Sequence, residues 1–433
     1  MNTIAFQTLG CKLNFSETAT LSRLFIEQGY QKVGFNQASD VYVINTCSVT
    51  EEADKKCRQV IRKAIRQNPE ATVIVTGCFA QLKPKEIINI PGVSLVLGAN
   101  EKLDFNRYLA HIQGQKTPET HTCEINEVDR YFAAHSLSER TRSFLKVQDG
   151  CDYPCTYCTI PKARGKSRNA TVESIRVQAE SIAAKGIREL ILTGVNIGDF
   201  GKSTGESFFD LIKALEQVKG IDRIRISSIE PNLLTDEMLD HIAKSKVIMP
   251  HFHIPLQSGS DTVLRLMKRR YNTKIFIEKI ERINRLMPHA AIGIDVIVGF
   301  PGETDELFEE TELLLNSLEF MNLHVFSYSE RPGTPASTYE HKVGETEKQH
   351  RSQILHRISD KKQRAFNEKF LNSERVVLVE NKHRNGNWYG FTDNYIKVEL
   401  QGENIKTNQF INVQLLSQNT NLSVQCKIFK NHV

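Results

Sequence analysis

Long apolar runs are missing from this 433-residue chain. None approaches the roughly 20 residues that a membrane-spanning helix requires, so no spanning segment and no membrane partner are expected. Met1 to Gly10 has neither the basic start nor the apolar stretch of a secretory signal, and Thr3 to Leu9 already reads as a strand; a cytoplasmic protein is expected. Charge imbalance is missing as well. A formal net charge of +5 permits nucleic-acid binding without arguing for it. Hydrophobic content of 40% and charged content of 25% carry no collagenous, disordered or membrane bias, and the length implies two or three domains. An even cysteine count is lacking too. Nine cysteines in a reducing compartment read as metal ligands, catalytic groups or small hydrophobes in preference to disulfides.

Three of those thiols fall within eight residues, at Cys151, Cys155 and Cys158. The spacing C-x3-C-x2-C supplies three soft ligands and leaves one corner of an iron-sulfur cluster without a protein ligand. A closed structural zinc site needs a fourth ligand, and no further Cys or His lies in or just beyond the loop, although a zinc knuckle stays open as an alternative. Three buried core cysteines fit less well, because Asp149, Gly150, Asp152 and Pro154 make the stretch polar and turn-rich.

Upstream, apolar strand-like runs alternate with amphipathic helical ones. Ile4 to Leu9, Val41 to Thr46, Val73 to Thr76 and Leu95 to Leu97 read as strands; Glu17 to Gln28, Glu51 to Gln67, Pro84 to Asn89 and Glu101 to His111 read as helices. That order predicts a parallel α/β sheet. Cys11, Cys47 and Cys78 each follow one of the first three strands, 36 and 31 residues apart, one βαβ step each time. Strand C-termini of a parallel sheet share an edge, so these thiols are expected to converge there as a second three-thiolate cluster. Taken singly, each is an ordinary small residue at a strand end. Cys57, Cys123 and Cys426 keep that plain reading.

Gln113 to Ser138 is polar and reads as a linker. Beyond it, Ser143 to Gln148, Glu189 to Thr193, Arg223 to Ser227, Phe252 to Ile254, Gly293 to Val298 and Leu323 to Tyr328 are six candidate strands with helices between them, and Thr346 to Phe370 reads as a long charged helix. Six β/α steps suggest a partial (β/α)6 barrel with its site at the strand C-termini. From about residue 373, Val376 to Val379, Trp388 to Thr392, Tyr395 to Val398 and Asn412 to Leu416 suggest a small β-barrel. Arg375, Lys382, Arg384, Lys397 and Lys406, interleaved with Trp388, Tyr389 and Tyr395, make either a nucleic-acid face or a solvated surface.

With these patterns in place, the chain resembles the methylthiotransferases of the radical S-adenosylmethionine superfamily over nearly its whole length. The resemblance rests on Thr8-Leu9-Gly10-Cys11-Lys12-Leu13-Asn14, Asn45-Thr46-Cys47-Ser48-Val49-Thr50, Thr76-Gly77-Cys78, the Cys151 loop with Ile160 to Gly165, and His253-Ile254-Pro255-Leu256-Gln257-Ser258-Gly259-Ser260. The tail is similar to the RNA-binding TRAM module. Expected domains are therefore 1–112 (parallel α/β, auxiliary cluster), 113–138 (linker), 139–372 (radical SAM partial barrel) and 373–433 (TRAM-like barrel). Leu192 to Gly198 and Leu9-Gly10-Cys11-Lys12 are most similar to the branch acting on N6-threonylcarbamoyladenosine 37 of tRNA. The isopentenyladenosine branch and the ribosomal-protein branch follow, and a non-enzymatic iron-sulfur sensor is the alternative from another class.

The resemblance implies two [4Fe-4S] clusters and S-adenosylmethionine. Cys151, Cys155 and Cys158 would hold the cluster whose free iron binds that cofactor, which on reduction yields a 5′-deoxyadenosyl radical. Cys11, Cys47 and Cys78 would hold the auxiliary cluster, which carries the sulfur to be inserted. Tyr157 would pack near the cofactor adenine, Gly194 and Asn196 would meet the methionine ammonium, Gly299 would approach the adenine, and Gln257 and Ser258 would contact ribose or methionine. Implied partners are the tRNA anticodon loop, a flavodoxin- or ferredoxin-type electron donor and a sulfur source, with a monomer expected. A threonylcarbamoyl carboxylate calls for a cation, for which Arg164, Arg269 and Arg270 are candidates.

Overall fold

The computed structural model describes residues 2–108, 112, 117–137, 141–383, 386–402 and 404–429. The first alternating stretch builds a six-stranded parallel sheet from β1 (Thr3–Thr8), β2 (Gln31–Val33), β3 (Val41–Thr46), β4 (Thr72–Gly77), β5 (Leu95–Leu97) and β6 (Glu119–His121), in the order β2-β1-β3-β4-β5-β6. β3 is buried along its whole length, as an apolar run covered on both faces should be. The strand order reverses between β1 and β3, so the crevice beyond their C-termini is where a doubly wound sheet takes a ligand.

Helices α1 (Lys12–Glu27), α2 (Glu51–Gln67), α3 (Cys78–Leu82) and α4 (Pro84–Ile88) follow the strands. Thr50 caps α2 by accepting a hydrogen bond from the Ala53 amide, and Glu51, Glu52 and Asp54 fill its first turn, where the helix dipole favours acids.

Three expectations need correction. α1 begins at Lys12, not Glu17, which places Lys12 and Asn14 in its first turn. Residues 101–108 form turns and a short 3-10 segment in place of the helix expected over Glu101 to His111, of which 109–111 lie outside the described residues; Lys102 is turned inward onto Glu17. Glu119–His121, inside the expected linker, pairs with β5 as an edge strand. An edge strand needs only one hydrogen-bonded neighbour and no apolar alternation, so its polar sequence hides it.

The next six strands are β7 (Arg142–Lys146), β8 (Glu189–Thr193), β9 (Arg223–Ile226), β10 (His251–Gln257), β11 (Ala291–Val298) and β12 (Asn322–Ser327). They form two parallel three-stranded sheets, joined where Ile224 bridges Ile248 and Ser228 bridges His253. Leu145, Leu192, Ile226, Ile254 and Ile294 pack against the surrounding helices, so the residues of opposite parity face an inner lumen. The charged helix Glu345–Lys369 packs on β12.

Strands β13 (Glu374–Lys382), β14 (Trp388–Thr392), β15 (Lys397–Leu400), β16 (Phe410–Gln418) and β17 (Val424–Ile428) close a barrel in the order β13-β14-β15-β17-β16. β17 adds a strand to those expected, and β15 starts two residues late because Tyr395 takes a left-handed turn at φ +65°. That barrel caps the N-terminal end of the partial one. Arg225 donates to the carbonyls of Asp393 and Thr392 at 2.8 Å each, and the Tyr395 ring stacks on His251 at 4.0 Å.

Candidate active site

Two cysteine triads meet at the junction of the first sheet and the partial barrel. In the first, Cys11 is the N-cap of α1 and Cys78 opens α3, while Cys47 precedes the capped start of α2. Helix N-termini present unpaired N–H groups and favour anions such as thiolates. The ends of β1 and β3 are tied together by Asn14, whose Nδ2 donates to the carbonyls of Leu9 (2.9 Å) and Thr46 (3.0 Å). Gly10 has φ +96°, and a Cβ there would stand 2.9 Å from the Cys47 sulfur, so only glycine admits that thiol. Burial pushes the Cys47 thiol up to about 12, and the neighbouring Cys78 and Cys11 push it in the same direction.

In the second triad, Sγ of Cys151 and of Cys158 each accept a backbone N–H, from Tyr153 and Ile160, at 3.4 Å, and Sγ of Cys155 accepts from Arg269 Nη1 at 3.1 Å. Burial pushes Cys151 and Cys158 up to about 12. Gln148, fully buried, latches this loop to the next one. Its Nε2 donates to the Gly150 carbonyl at 2.7 Å, and its Oε1 accepts the amides of Val195 and Asn196 at 2.9 Å each.

The triads adjoin directly. Thr159, next to Cys158, donates its hydroxyl to the carbonyl of Ser48, next to Cys47, at 3.4 Å. Arg331, beyond β12, donates to Ser48 Oγ and to the buried Asp54, both at 2.8 Å. On the other side lies a buried ion network: Glu17 pairs with Lys102 (2.7 Å), Lys146 (3.1 Å) and Arg164 (3.1 Å), and Asp149 with Lys146 (2.6 Å), Arg164 (2.9 Å) and Arg168 (3.3 Å). Four cations surround two carboxylates. Such a surplus is costly in a dry interior unless more negative charge lies beside it. Arg164 supplies the link, since it pulls the Cys78 thiol down against the effect of burial.

These observations test whether iron-sulfur clusters fit. Among the described residues, the one set of three metal-binding atoms within 4.8 Å of one another is His253, Asp295 and His324, so neither cysteine triad closes that tightly. Thiolates on a single tetrahedral zinc would stand roughly 3.8 Å apart, given Zn–S bonds of about 2.3 Å. The wider spacing, the N–H donors to sulfur and the cationic surplus suit a net-negative multi-iron cluster. For the organic cofactor, Asn196 Oδ1 is buried with no hydrogen-bond partner, which suits an ammonium donor. A cavity of about 210 Å³ beside Cys158 is lined by Tyr157, Gln257, Asp295, Val49 and Thr50 among others.

Of the expected cofactor contacts, Tyr157 and Gln257 line that cavity, and Gln257 sits at a bulge with φ +67°. Gly299 borders a neighbouring cavity of about 730 Å³ that shares Thr50, Ser327, Tyr328 and Ser329. Gly194 packs against Gln148, Ser258 is buried against Thr311 and Asn196 is buried against Asp199; none of the three lines either cavity. Cys57 is buried and donates to the Cys47 carbonyl at 3.3 Å, and Cys426 contacts the Glu399 carbonyl.

The three candidate cations for a carboxylate are placed elsewhere. Arg164 is committed to Glu17 and Asp149, Arg269 to Glu230 and Cys155, and Arg270 lies exposed over the Tyr153 ring. In the terminal barrel, Arg375 pairs with Asp393 at 3.1 Å and Tyr395 is used in docking, which removes both from an open nucleic-acid face; Arg384 lies outside the described residues. Asn14, Glu17, Ser48 and Thr159 were not singled out from the sequence. Asn14 and Glu17 stand three residues apart on one helix face, and Ser48 and Thr159 each directly follow a cysteine, which are signals available in the sequence.

Comparison with known proteins agrees with this geometry. Residues 145–315 match the Radical SAM superfamily, and residues 3–98 match the Uncharacterized protein family UPF0004. The radical S-adenosylmethionine methyltransferase TsrM from Kitasatospora setae, solved with tryptophan substrate and a SAM analog, shares the fold at a TM-score of 0.58 and 14% identity, over 78% of this chain and 75% of that one. The fold and site thus define a protein of the radical SAM class.

The threonylcarbamoyladenosine tRNA methylthiotransferase MtaB of Bacillus subtilis is 40% identical over 96% of this chain and 94% of its own length, and that of Aquifex aeolicus is 39% identical over 92% and 97%. The chain belongs to the radical SAM methylthiotransferase family, in its threonylcarbamoyladenosine tRNA branch.

Proposed function

We propose that this protein is a tRNA methylthiotransferase that places a methylthio group on C2 of N6-threonylcarbamoyladenosine at position 37. The observation that carries the reading is the contact between two cysteine triads through Ser48 and Thr159. When bound, a [4Fe-4S] cluster with S-adenosylmethionine supplies radical chemistry able to open an unactivated aromatic C–H bond, and a second cluster supplies the sulfur.

The chain's own residues do the rest. Cys151, Cys155 and Cys158 would hold the first cluster, and Cys11, Cys47 and Cys78 would hold the second. Gln148 fixes the Cys151 loop against Val195 and Asn196, so that the cofactor's polar end meets a preformed surface. Tyr157 lines the cavity and is backed by the buried Phe300, with ring centroids 6.3 Å apart. Arg331 and Thr159 keep the two sulfur sets in one register.

We assign residues 1–112 to the auxiliary-cluster unit, 113–138 to the linker, 139–372 to the radical unit and 373–433 to the RNA-binding barrel. The substrate is an anticodon loop with its base splayed out, the usual target of sequence-specific RNA recognition. A flavodoxin- or ferredoxin-type protein delivers the electron, and a separate donor replaces the sulfur.

Mass spectrometry of tRNA nucleosides from cells with and without the gene tests the reading. Loss of the 2-methylthio derivative of threonylcarbamoyladenosine is expected, with the unmodified precursor accumulating. Unchanged tRNA would sink it.

A further inference from the structure

The lumen of the partial barrel is polar. Arg142, Glu189 and His251, each the first residue of its strand, form with Arg225 of β9 a floor closed by Tyr395. These floor charges are paired: Arg142 lies 2.5 Å from Glu380, and Arg225 lies 3.0 Å from Glu189. One layer higher, on adjacent strands, His253 Nε2 stands 2.6 Å from Asp295 Oδ1, and the His253 and His324 rings are 4.9 Å apart. Asp295 thus borders both the lumen and the cavity beside Cys158.

One cation at this lumen stands apart. Lys12 directly follows Cys11 in the first turn of α1, three residues before Phe15 and hence on the same helix face. The Phe15 ring packs edge-on against Phe144 at 5.8 Å, and Phe144 has the lumen-facing parity of β7. That face of α1 therefore meets the lumen. Lys12 is exposed, as expected of a side chain lining an open-mouthed space. The charges it senses are those of the lumen, namely Asp295, Arg142, Arg225 and Tyr395, and His324 senses Lys12 in turn. Among the described residues it makes no ion pair within 4.0 Å.

Arg164 and Arg269 are consumed by Glu230, Glu17 and Asp149, and Arg270 does not line the cavity. On an adenine, C2 and the C6 that carries N6 both flank N1. A substituent on N6 therefore leaves the base from the same edge as the reacting carbon and must share the space beside the two cysteine triads, where Lys12 follows Cys11. Resting on the function proposed above, we infer that Lys12 selects the substrate, by pairing with the carboxylate that ends a threonylcarbamoyl substituent on N6. A charge-assisted ammonium-carboxylate hydrogen bond of this kind discriminates by roughly 10- to 100-fold against a neutral analogue.

The test uses the full-length, cluster-loaded protein and two anticodon stem-loops, one carrying threonylcarbamoyladenosine and the other its carboxamide analogue. The readout is the ratio of kcat/KM for the two, which cancels any inactive fraction. Wild type is expected to prefer the carboxylate by about 10- to 100-fold. Lys12→Met should bring the two within about 3-fold, and Lys12→Arg should retain most of the preference. A wild type indifferent to the carboxylate, or a Lys12→Met protein that keeps the preference, overturns the inference and leaves the proposed function standing. Should Lys12→Met turn over neither stem-loop, equilibrium binding of the same pair decides, with lost preference supporting the role and retained preference refuting it. Wild type that methylthiolates only isopentenyladenosine stem-loops overturns the functional reading and the role of Lys12 with it.

Discussion

Thr159 donates its hydroxyl to the Ser48 carbonyl at 3.4 Å, and each residue directly follows a cysteine of a different triad. One weak hydrogen bond would not hold two units in register, but Arg331 binds the same Ser48 and the fully buried Asp54 at 2.8 Å each. Arg331→Met should therefore loosen the joint while leaving all six thiols in place. Iron content is expected to stay at the wild-type level, and methylthio product formed per 5′-deoxyadenosine to fall several-fold. Equal coupling in the variant, measured by mass spectrometry of both products, would show that the joint has no role in alignment.

The two triads should also load separately. Replacing Cys11, Cys47 and Cys78 by Ala is expected to remove about half the iron while reductive cleavage of S-adenosylmethionine persists, because the open-cornered cluster is a distinct site. Gly10→Ala should act in the same direction without touching a ligand, since the new Cβ would sit 2.7 Å from Cβ and 2.9 Å from Sγ of Cys47 at a backbone φ of +96°. Iron analysis with Mössbauer spectroscopy reads the outcome. Full iron in Gly10→Ala would mean that Cys47 is not a ligand.

Acid should weaken the seam between α1 and the segment before β7. The His135 backbone accepts from Arg23 at 2.9 Å and from Thr20, and burial, with Arg23 nearby, holds its imidazole down at about 4 against an ordinary value near 6.5. The folded protein thus favours neutral His135. Its contribution is complete above about pH 6.5 and is lost as pH falls towards 4, by up to about 3 kcal/mol. The difference in Tm between wild type and His135→Phe should shrink over that window. Parallel curves would exclude His135 as the cause.

Much of this architecture is legible in residue order because its signals are local. Cys11, Cys47 and Cys78 repeat at one βαβ step, and the Cys151 loop carries its ligands within eight residues. β6 is not legible, because an edge strand with Glu119, Thr120 and His121 needs no apolar period. Nor is the commitment of Arg164 and Arg269, which depends on through-space pairing with Glu17 and Glu230, far away in sequence. Tyr395 looks like a base-stacking ring until the terminal barrel docks it onto His251. Lys12 lies in a recognised motif, yet its direction follows only from α1 starting five residues earlier than periodicity implies.

The buried network makes the sharpest energetic prediction. Glu17 and Asp149 balance two of four cations, and Arg164, Lys102 and Lys146 hold the Glu17 carboxyl far below the usual carboxylate range despite the opposing effect of burial. Glu17→Gln removes one of two anions and leaves Lys102 without a partner, so it should cost about 3–5 kcal/mol in cluster-free protein. Arg164→Met removes surplus positive charge and should cost less, even though it also cuts the link to Asn14 at 2.5 Å. Loading the clusters adds negative charge beside Cys78 and should narrow the gap between the two variants. The pH dependence has a definite sign. Stability from Glu17 is present above about pH 4.5, its unfolded value, and is lost as pH falls, so Glu17→Gln should flatten the acid limb of wild type. Anaerobic urea denaturation with and without reconstituted clusters measures each quantity, and an Arg164→Met protein less stable than Glu17→Gln in the cluster-free state would refute this account of the charge balance.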